Sequence, residues 1–207
     1  MPRLRPKRLV KRSTRKRRLI RLDNDERRRQ LLAMGRTAFT EHSYDEVSID
    51  ELAKKAKISK GLFYYYFPTK RDLYIAGLKE TAQELVNKLT GVKLHDTSPR
   101  ERAMVGVDAY LEHVASQSQG FVALMRGGIG SDPEVAEVVE SVRLRLSSFF
   151  LEGTPLPAGN LKFEILVRGW IGFVEAVSID WCANPRLGRD ELRELLTRIL
   201  LSVLAVS

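Results

Sequence analysis

Between Ser48 and Lys70 the chain reads SIDELAKKAKISKGLFYYYFPTK, and three helix starts crowd into this stretch. Ser48 and Glu51 stand at capping-box spacing, so a helix opens at Ser48, with Leu52, Ala53 and Ala56 as its apolar face. Ser59 offers a second N-cap, with Phe63, Tyr66 and Phe67 at helical spacing behind it. Thr69 and Asp72 repeat the capping signal and open a third helix. Two short helices joined by a tight turn are therefore predicted, with Lys60, Tyr64, Tyr65 and Lys70 on the outer side. A reader of the DNA major groove needs that arrangement, so double-stranded DNA is the expected partner.

Every other strong signal is also helical. Asp23, Asp25 and Glu26 suit a helix N-terminus, and the helix they open runs to about Glu41 through Leu31, Gly35, Ala38 and Phe39. Tyr44 and Val47 bridge it to the two short helices. A helix from Thr69 to about Thr90 links this head to the rest. Ser98-Pro99-Arg100-Glu101 opens a helix to about Gln117, and Phe121 to Arg126 forms a short one, stopped by Gly127-Gly128. Ser131-Asp132-Pro133-Glu134 repeats the start signal for a helix to Phe150. The segment 152–160 is a loop by composition. Helices over about Leu161–Ala183 and Arg189–Val206, separated by Asn184-Pro185, close the chain. The expected fold class is all-α with about nine helices. Its parts are a basic, flexible arm over 1–22, a helix-turn-helix head over 23–75 and a larger helical domain over 76–207.

Charge supports a polyanionic partner through its distribution. The formal net charge is +9, but eleven of the 35 Lys and Arg lie in residues 1–22, which hold no acid. The remaining chain carries 24 basic against 26 acidic residues. Basicity thus belongs to the arm, whose Arg3, Arg5, Arg12, Arg15, Arg17 and Arg18 are candidates for phosphate or minor-groove contacts. A lone cysteine, Cys182, excludes an internal disulfide framework and fits a reducing, cytoplasmic compartment. No apolar run reaches the ~18 residues of a membrane span. Nor does the N-terminus carry the apolar core of a secretory signal.

The order of residues in IDELAKKAKISKGLFYYYFPTKRDLY resembles the DNA-binding domain of the TetR family of transcriptional regulators, over about Arg27 to Tyr74. The larger domain is similar in layout, and WIGFVEA, residues 170–176, is similar to actinobacterial members. The resemblance puts Lys60, Gly61, Leu62 and Tyr65 toward base edges. It gives phosphates to Tyr64, Tyr66, Lys70 and the helix start at Ser48, with Lys57, Ser59 and Thr69 beside them. Residue chemistry agrees. Gly61 lets the backbone approach the duplex, tyrosine hydroxyls and Lys bond phosphate oxygens, and Leu62 offers apolar contact to a thymine methyl. Three positions depart from the family pattern. Leu62 replaces Thr or Ser, while Lys57 and Ser43 replace Gly. A left-handed conformation at either of the last two costs about 1–2 kcal/mol.

The family resemblance also implies a homodimer on an inverted-repeat operator and a cavity for a small molecule that shifts the two heads. An aromatic-rich apolar set suits a small apolar effector, lipid- or acyl-like in character: Met104, Val107, Tyr110, Leu111, Val114, Phe121, Leu124, Met125, Phe149, Trp170, Phe173, Val174, Val177 and Trp181. Asp108, His113 and Glu175 are candidate polar anchors within it. Gly169, Gly172 and Ala176 make a small-residue stripe at helical spacing. The last helix is apolar over a wider arc than one packing face needs, through Leu192, Leu195, Leu196, Ile199 and Val203. A four-helix subunit interface is expected there.

No catalytic or metal-binding constellation is present. His42, His95 and His113 fall in different elements, and neither a Gly-rich phosphate loop nor HExxH occurs. Neither a cofactor nor a metal is expected. The reading is a DNA-binding regulator, most simply a repressor released by its effector. Two rivals are an arm-driven architectural binder with little sequence preference and a helical module that docks a protein partner.

Overall fold

The computed structural model describes residues 10–91, 97–126, 128–152 and 160–205. Among them are nine α-helices, one 3-10 turn at Gly128–Ser131 and no strand. The helices are α1 (Val10–Glu41), α2 (Ile49–Lys55), α3 (Lys60–Tyr66), α4 (Lys70–Thr90), α5 (Pro99–Ser116), α6 (Ser118–Arg126), α7 (Pro133–Leu151), α8 (Leu161–Ala183) and α9 (Arg189–Leu204).

Most starts fall where the capping residues put them. Ser48, Ser59, Thr69 and Ser98 each accept a backbone N–H of the turn they open, and at Ser98 the Glu101 side chain completes a full capping box. Asp132, directly before Pro133 in the predicted start signal, caps α7 by accepting from Glu134 and Val135 N–H. The main correction is α1. Its start was expected near Asp23, but the helix is continuous from Val10 and takes in residues 10–22 of the basic arm. Residues 1–9, and the middle of the 152–160 loop, lie outside the described residues.

The α2–α3 turn shows how the head is set. Ile58 N–H donates to Ala53 O and Lys57 N–H to Lys54 O, the paired bonds of a Schellman ending. Its left-handed position is Lys57, with φ 56°, the one described non-glycine residue at positive φ. The strain anticipated at two positions therefore arises at Lys57 and not at Ser43.

Two buried cores result. The head core gathers Leu31, Phe39, Leu52, Phe63, Phe67 and Leu73, and includes Val135 from α7. The body core gathers Leu85 and Leu89 of α4 with Val107, Leu111, Phe150, Trp170, Leu192 and Leu196. Helix α4 feeds both, so the passage from head to body runs along an unbroken helix.

Arg71, at the start of α4, pins the two together. Its Nε and Nη2 donate to the Asp132 carboxylate at 2.6 and 2.8 Å. Glu134 adds a second carboxylate to Arg71 and takes Lys79 as well. The Arg71 hydrogen bonds hold the Asp132 carboxyl at about 2, below its ordinary 3.8, and the N–H groups of Val135 and Glu134 act the same way. A depressed carboxylate contributes fully above its unfolded value, about 4, and its contribution is lost as pH falls through about 2. Asp132→Asn should therefore lower the thermal midpoint at pH 7 and lose less than the parent between about pH 4 and about pH 2. Parallel midpoint curves over that window would contradict this.

Candidate nucleic-acid interface

Helix α3 is seven residues long and divides cleanly. Phe63 faces inward with no exposure, and Phe67 lies 6.2 Å from it, centroid to centroid. The opposite face carries Lys60, Gly61, Leu62, Tyr64 and Tyr65, all exposed, with Tyr65 at 69%. A methyl built on Gly61 would meet nothing within 4 Å, so that position is open for a close approach from outside. Lys60 pairs with Asp50 of α2 at 2.7 Å and stands 5.9 Å from the Tyr64 ring centroid. That ion pair is exposed on both sides, where such pairs contribute little and exchange readily for a phosphate. Lys57 and Ser59 flank this face in the turn before α3 and are exposed.

Two residues expected on phosphates have other tasks. Lys70 Nζ donates to the carbonyls of Tyr44, Asp45 and Val47 at 2.9, 3.4 and 3.2 Å and lies 4.5 Å from the Tyr44 ring centroid. An ammonium has three N–H groups, and here all three are used in holding the α1–α2 turn. Tyr66 is half-buried, and its hydroxyl donates to Asn24 Oδ1 at 3.0 Å, tying α3 to α1. Ser48 and Thr69 serve as caps at the edges of the face. Three residues escaped the sequence reading: exposed Lys54 and Lys55 at the end of α2, and Arg28 of α1, stacked 4.9 Å from the Phe67 ring centroid. The only hint of the first two is a Lys pair before the turn. Of the arm, Arg12, Arg15, Arg17 and Arg18 fall within helical α1, whereas Arg3 and Arg5 lie outside the described residues.

The body departs further from expectation. Val107, Tyr110, Trp170 and Val174, expected to line a ligand cavity, enclose about 10 Å³ with their neighbours, room for at most one water. Leu111, Val114 and Phe149 are buried in the same packed core, with Val177 and Trp181 against it. Met104 lies in a charged surface cleft beside Asp108 and Arg193, and Met125 is half-buried. Phe173 is 42% exposed on the outside of α8. Phe121 and Leu124 line a separate, half-open space of about 80 Å³ between head and body. Among the anchors, Asp108 pairs with Arg189 and Arg193, Glu175 pairs with Arg143, and His113 faces the 80 Å³ space.

The subunit-interface residues are also corrected. Leu192 and Leu196 belong to the body core, with 2% and no exposure, so neither is available to a partner. Leu195, Ile199 and Val203 are half-buried. The open apolar face lies on α8, where Gly169, Gly172 and Ala176 are in line with exposed Leu161, Ile165 and Phe173.

A short helix set in a helix-turn-helix, its inner face locked and its outer face free, carried on a nine-helix two-core chain, defines a helix-turn-helix protein with a helical second domain. The chain belongs to the TetR family. Residues 31–76 match the model for bacterial regulatory proteins of the tetR family, and residues 99–203 match that for tetracyclin repressor-like C-terminal domains. The transcriptional activator FasR of Mycolicibacterium smegmatis is 32% identical over 120 residues, covering 58% of this chain and 55% of FasR. An uncharacterised regulator of Bacillus subtilis, YuxN, is 25% identical over 129 residues, covering 61% of this chain and 44% of YuxN. The matches thus span about half the length of these relatives. A tetR-family regulator from Streptomyces coelicolor superposes with a TM-score of 0.81 at 33% identity, over 88% of this chain and 82% of that one. No described helix is long and apolar enough to cross a membrane.

Proposed function

We propose that this chain is a homodimeric, sequence-specific DNA-binding regulator of transcription, acting in the cytoplasm and responsive to a small apolar effector. The observation that carries the reading is the outer face of α3, where Gly61, Leu62 and Tyr65 are open while Phe63 behind them is fully buried. Leu62 offers a methyl-compatible contact, Tyr64 and Tyr65 offer hydroxyls, and Lys57 and Lys60 offer charge. Two such heads on a two-fold axis would enter major grooves about 34–36 Å apart, or a multiple of that distance. The α8 stripe, with the half-buried Leu195, Ile199 and Val203 of α9, offers a self-complementary surface for the dimer.

Repression is the proposed sign of regulation, because a dimer seated across successive grooves excludes other proteins from that duplex. The name of the relative FasR, an activator, favours activation as the second reading. Transcription in vitro from a template bearing the bound sequence separates the two.

Selection of bound fragments from a random duplex library, with the full-length chain at physiological salt, tests the central reading. An enriched inverted repeat is expected. Enrichment of no sequence would replace it with an architectural binder driven by the basic arm. Deleting residues 1–22 should weaken duplex binding and flatten its salt dependence, by about 0.9 in log–log slope for each phosphate the arm had neutralised. Equal slopes for the two proteins would remove the arm from the interface.

A further inference from the structure

Lys60 is the first residue of α3, and the N-terminal residues of a reading helix are the ones that meet base edges. Its ammonium stands 2.7 Å from the Asp50 carboxylate of α2 and 5.9 Å from the Tyr64 ring centroid. Lys54, Lys55 and Lys57 are exposed nearby and make no ion pair among the described residues. Of the lysines in α2, α3 and their turn, Lys60 alone therefore has a carboxylate. We propose that Asp50 is a positioning residue for sequence recognition: it cancels the pull of Lys60 on phosphates and keeps that ammonium for the edge of a guanine. The proposal rests on the DNA-binding reading above and names the residue that sets its selectivity at one base of each half-site.

Charge and donor count separate the two kinds of partner. A phosphate is an anion, so moving Lys60 to it from Asp50 trades one negative group for another. The exchange also leaves the bared carboxylate facing a polyanion. It is easy, but it gains almost nothing in net charge. Lys54, Lys55 and Lys57 give up no carboxylate, and they supply the attraction to any duplex. A guanine edge differs, because its N7 and O6 are neutral acceptors. An ammonium has three N–H groups, enough for both guanine acceptors and for Asp50 as well. The base joins the pair where a phosphate must break it. Adenine fits less well, since a donor, its N6 amino group, stands beside N7.

Both ends of the pair stand on fixed backbone. Ser48 caps α2 two residues before Asp50, Ser59 caps α3 directly before Lys60, and Ile49 and Phe63 are buried behind them. The side chains themselves are 62% and 56% exposed, so their attraction contributes little to folding and its removal tests recognition. Glu51, exposed next to Asp50, makes no ion pair among the described residues. It provides the control for a lost charge that does not act through Lys60.

The test compares full-length Asp50→Asn, Glu51→Gln, Lys60→Gln and the double variant Asp50→Asn with Lys60→Gln. Each is measured by selection from the random duplex library and by affinity for a scrambled duplex against salt. For Asp50→Asn, scrambled-duplex affinity should rise about fivefold at ~0.15 M salt, and the log–log slope should steepen by about 0.9, the worth of one phosphate. Affinity for the selected duplex should rise less, because Lys60 is already spent on a base there. The guanine at one position of each half-site should vanish with Lys60→Gln and weaken with Asp50→Asn. Neither the Asp50→Asn change in the Lys60→Gln background nor Glu51→Gln should reproduce the steeper slope. A parental slope for Asp50→Asn, an equal gain from either control, or a guanine that survives Lys60→Gln would each overturn the proposal. If the parent enriches no sequence, the DNA-binding reading fails and the guanine contact with it, while the scrambled-duplex slopes still decide whether Asp50 cancels Lys60.

Discussion

Phe63→Ala should melt the head and leave the body folded. Phe63 has no exposure and belongs to a buried cluster drawn from all four helices of the head. Truncating a buried phenylalanine costs about 3–5 kcal/mol, the lost transfer energy plus the cavity left behind. A unit of about 50 residues carries only about 2.5–7.5 kcal/mol in all, at the usual 0.05–0.15 kcal/mol per residue. The substitution therefore removes from about two-fifths to all of the head's stability. The body has its own core, so calorimetry should show an early transition ahead of one near the parental midpoint, with duplex binding lost at about 37 °C. A single unshifted transition would show that the two cores melt as one and that the head borrows its stability from α4 and α7.

The second large effect is expected on α8. Ile165→Asp with Phe173→Asp places two carboxylates on a face that is exposed in the protomer, at 61% and 42%, so the single chain should fold normally. Burying those charges against a second copy carries a penalty of several kcal/mol. Light scattering should report a monomer. Duplex affinity should fall by about 10²–10⁴, because the second head no longer arrives at the millimolar effective concentration set by its link to the first. A variant that remains dimeric would move the interface elsewhere, and one that is monomeric with parental affinity would mean that one head suffices.

What the sequence displayed, and what it hid, divides by the range of the interactions involved. The caps at Ser48, Ser59, Thr69 and Ser98 bond to a backbone N–H three residues on, so residue order alone places those helix starts within a residue. The inward and outward sides of α3 follow from helical spacing around Phe63. Lys70 and Tyr66 escape such a reading because their partners lie 23–26 and 42 residues away, at distances that no local pattern encodes. Helix α9 is apolar on more than one side, so its composition could not say that Leu192 and Leu196 turn to the core while Leu195, Ile199 and Val203 lie half-covered. The aromatic set revealed much apolar volume and nothing about free space. Cavities are the small remainder between packed volumes, and no local pattern says where that remainder falls. The start of α1 carries no capping signal, and a basic run reads equally well as a tail.

The length of α1 has a mechanical consequence. Its 32 residues, at about 1.5 Å each, form a rod close to 48 Å long, with Thr40 near one end and the basic segment at the other. Pivoting that rod by about 10° at Thr40 would carry Val10 through roughly 8 Å, an arc that follows from the helical rise. Successive phosphates on one strand are about 3.4 Å apart along the duplex axis, so the tip would sweep past two of them. Leverage of this kind lets a small rotation at the Thr40 end register as a change of address for the far end.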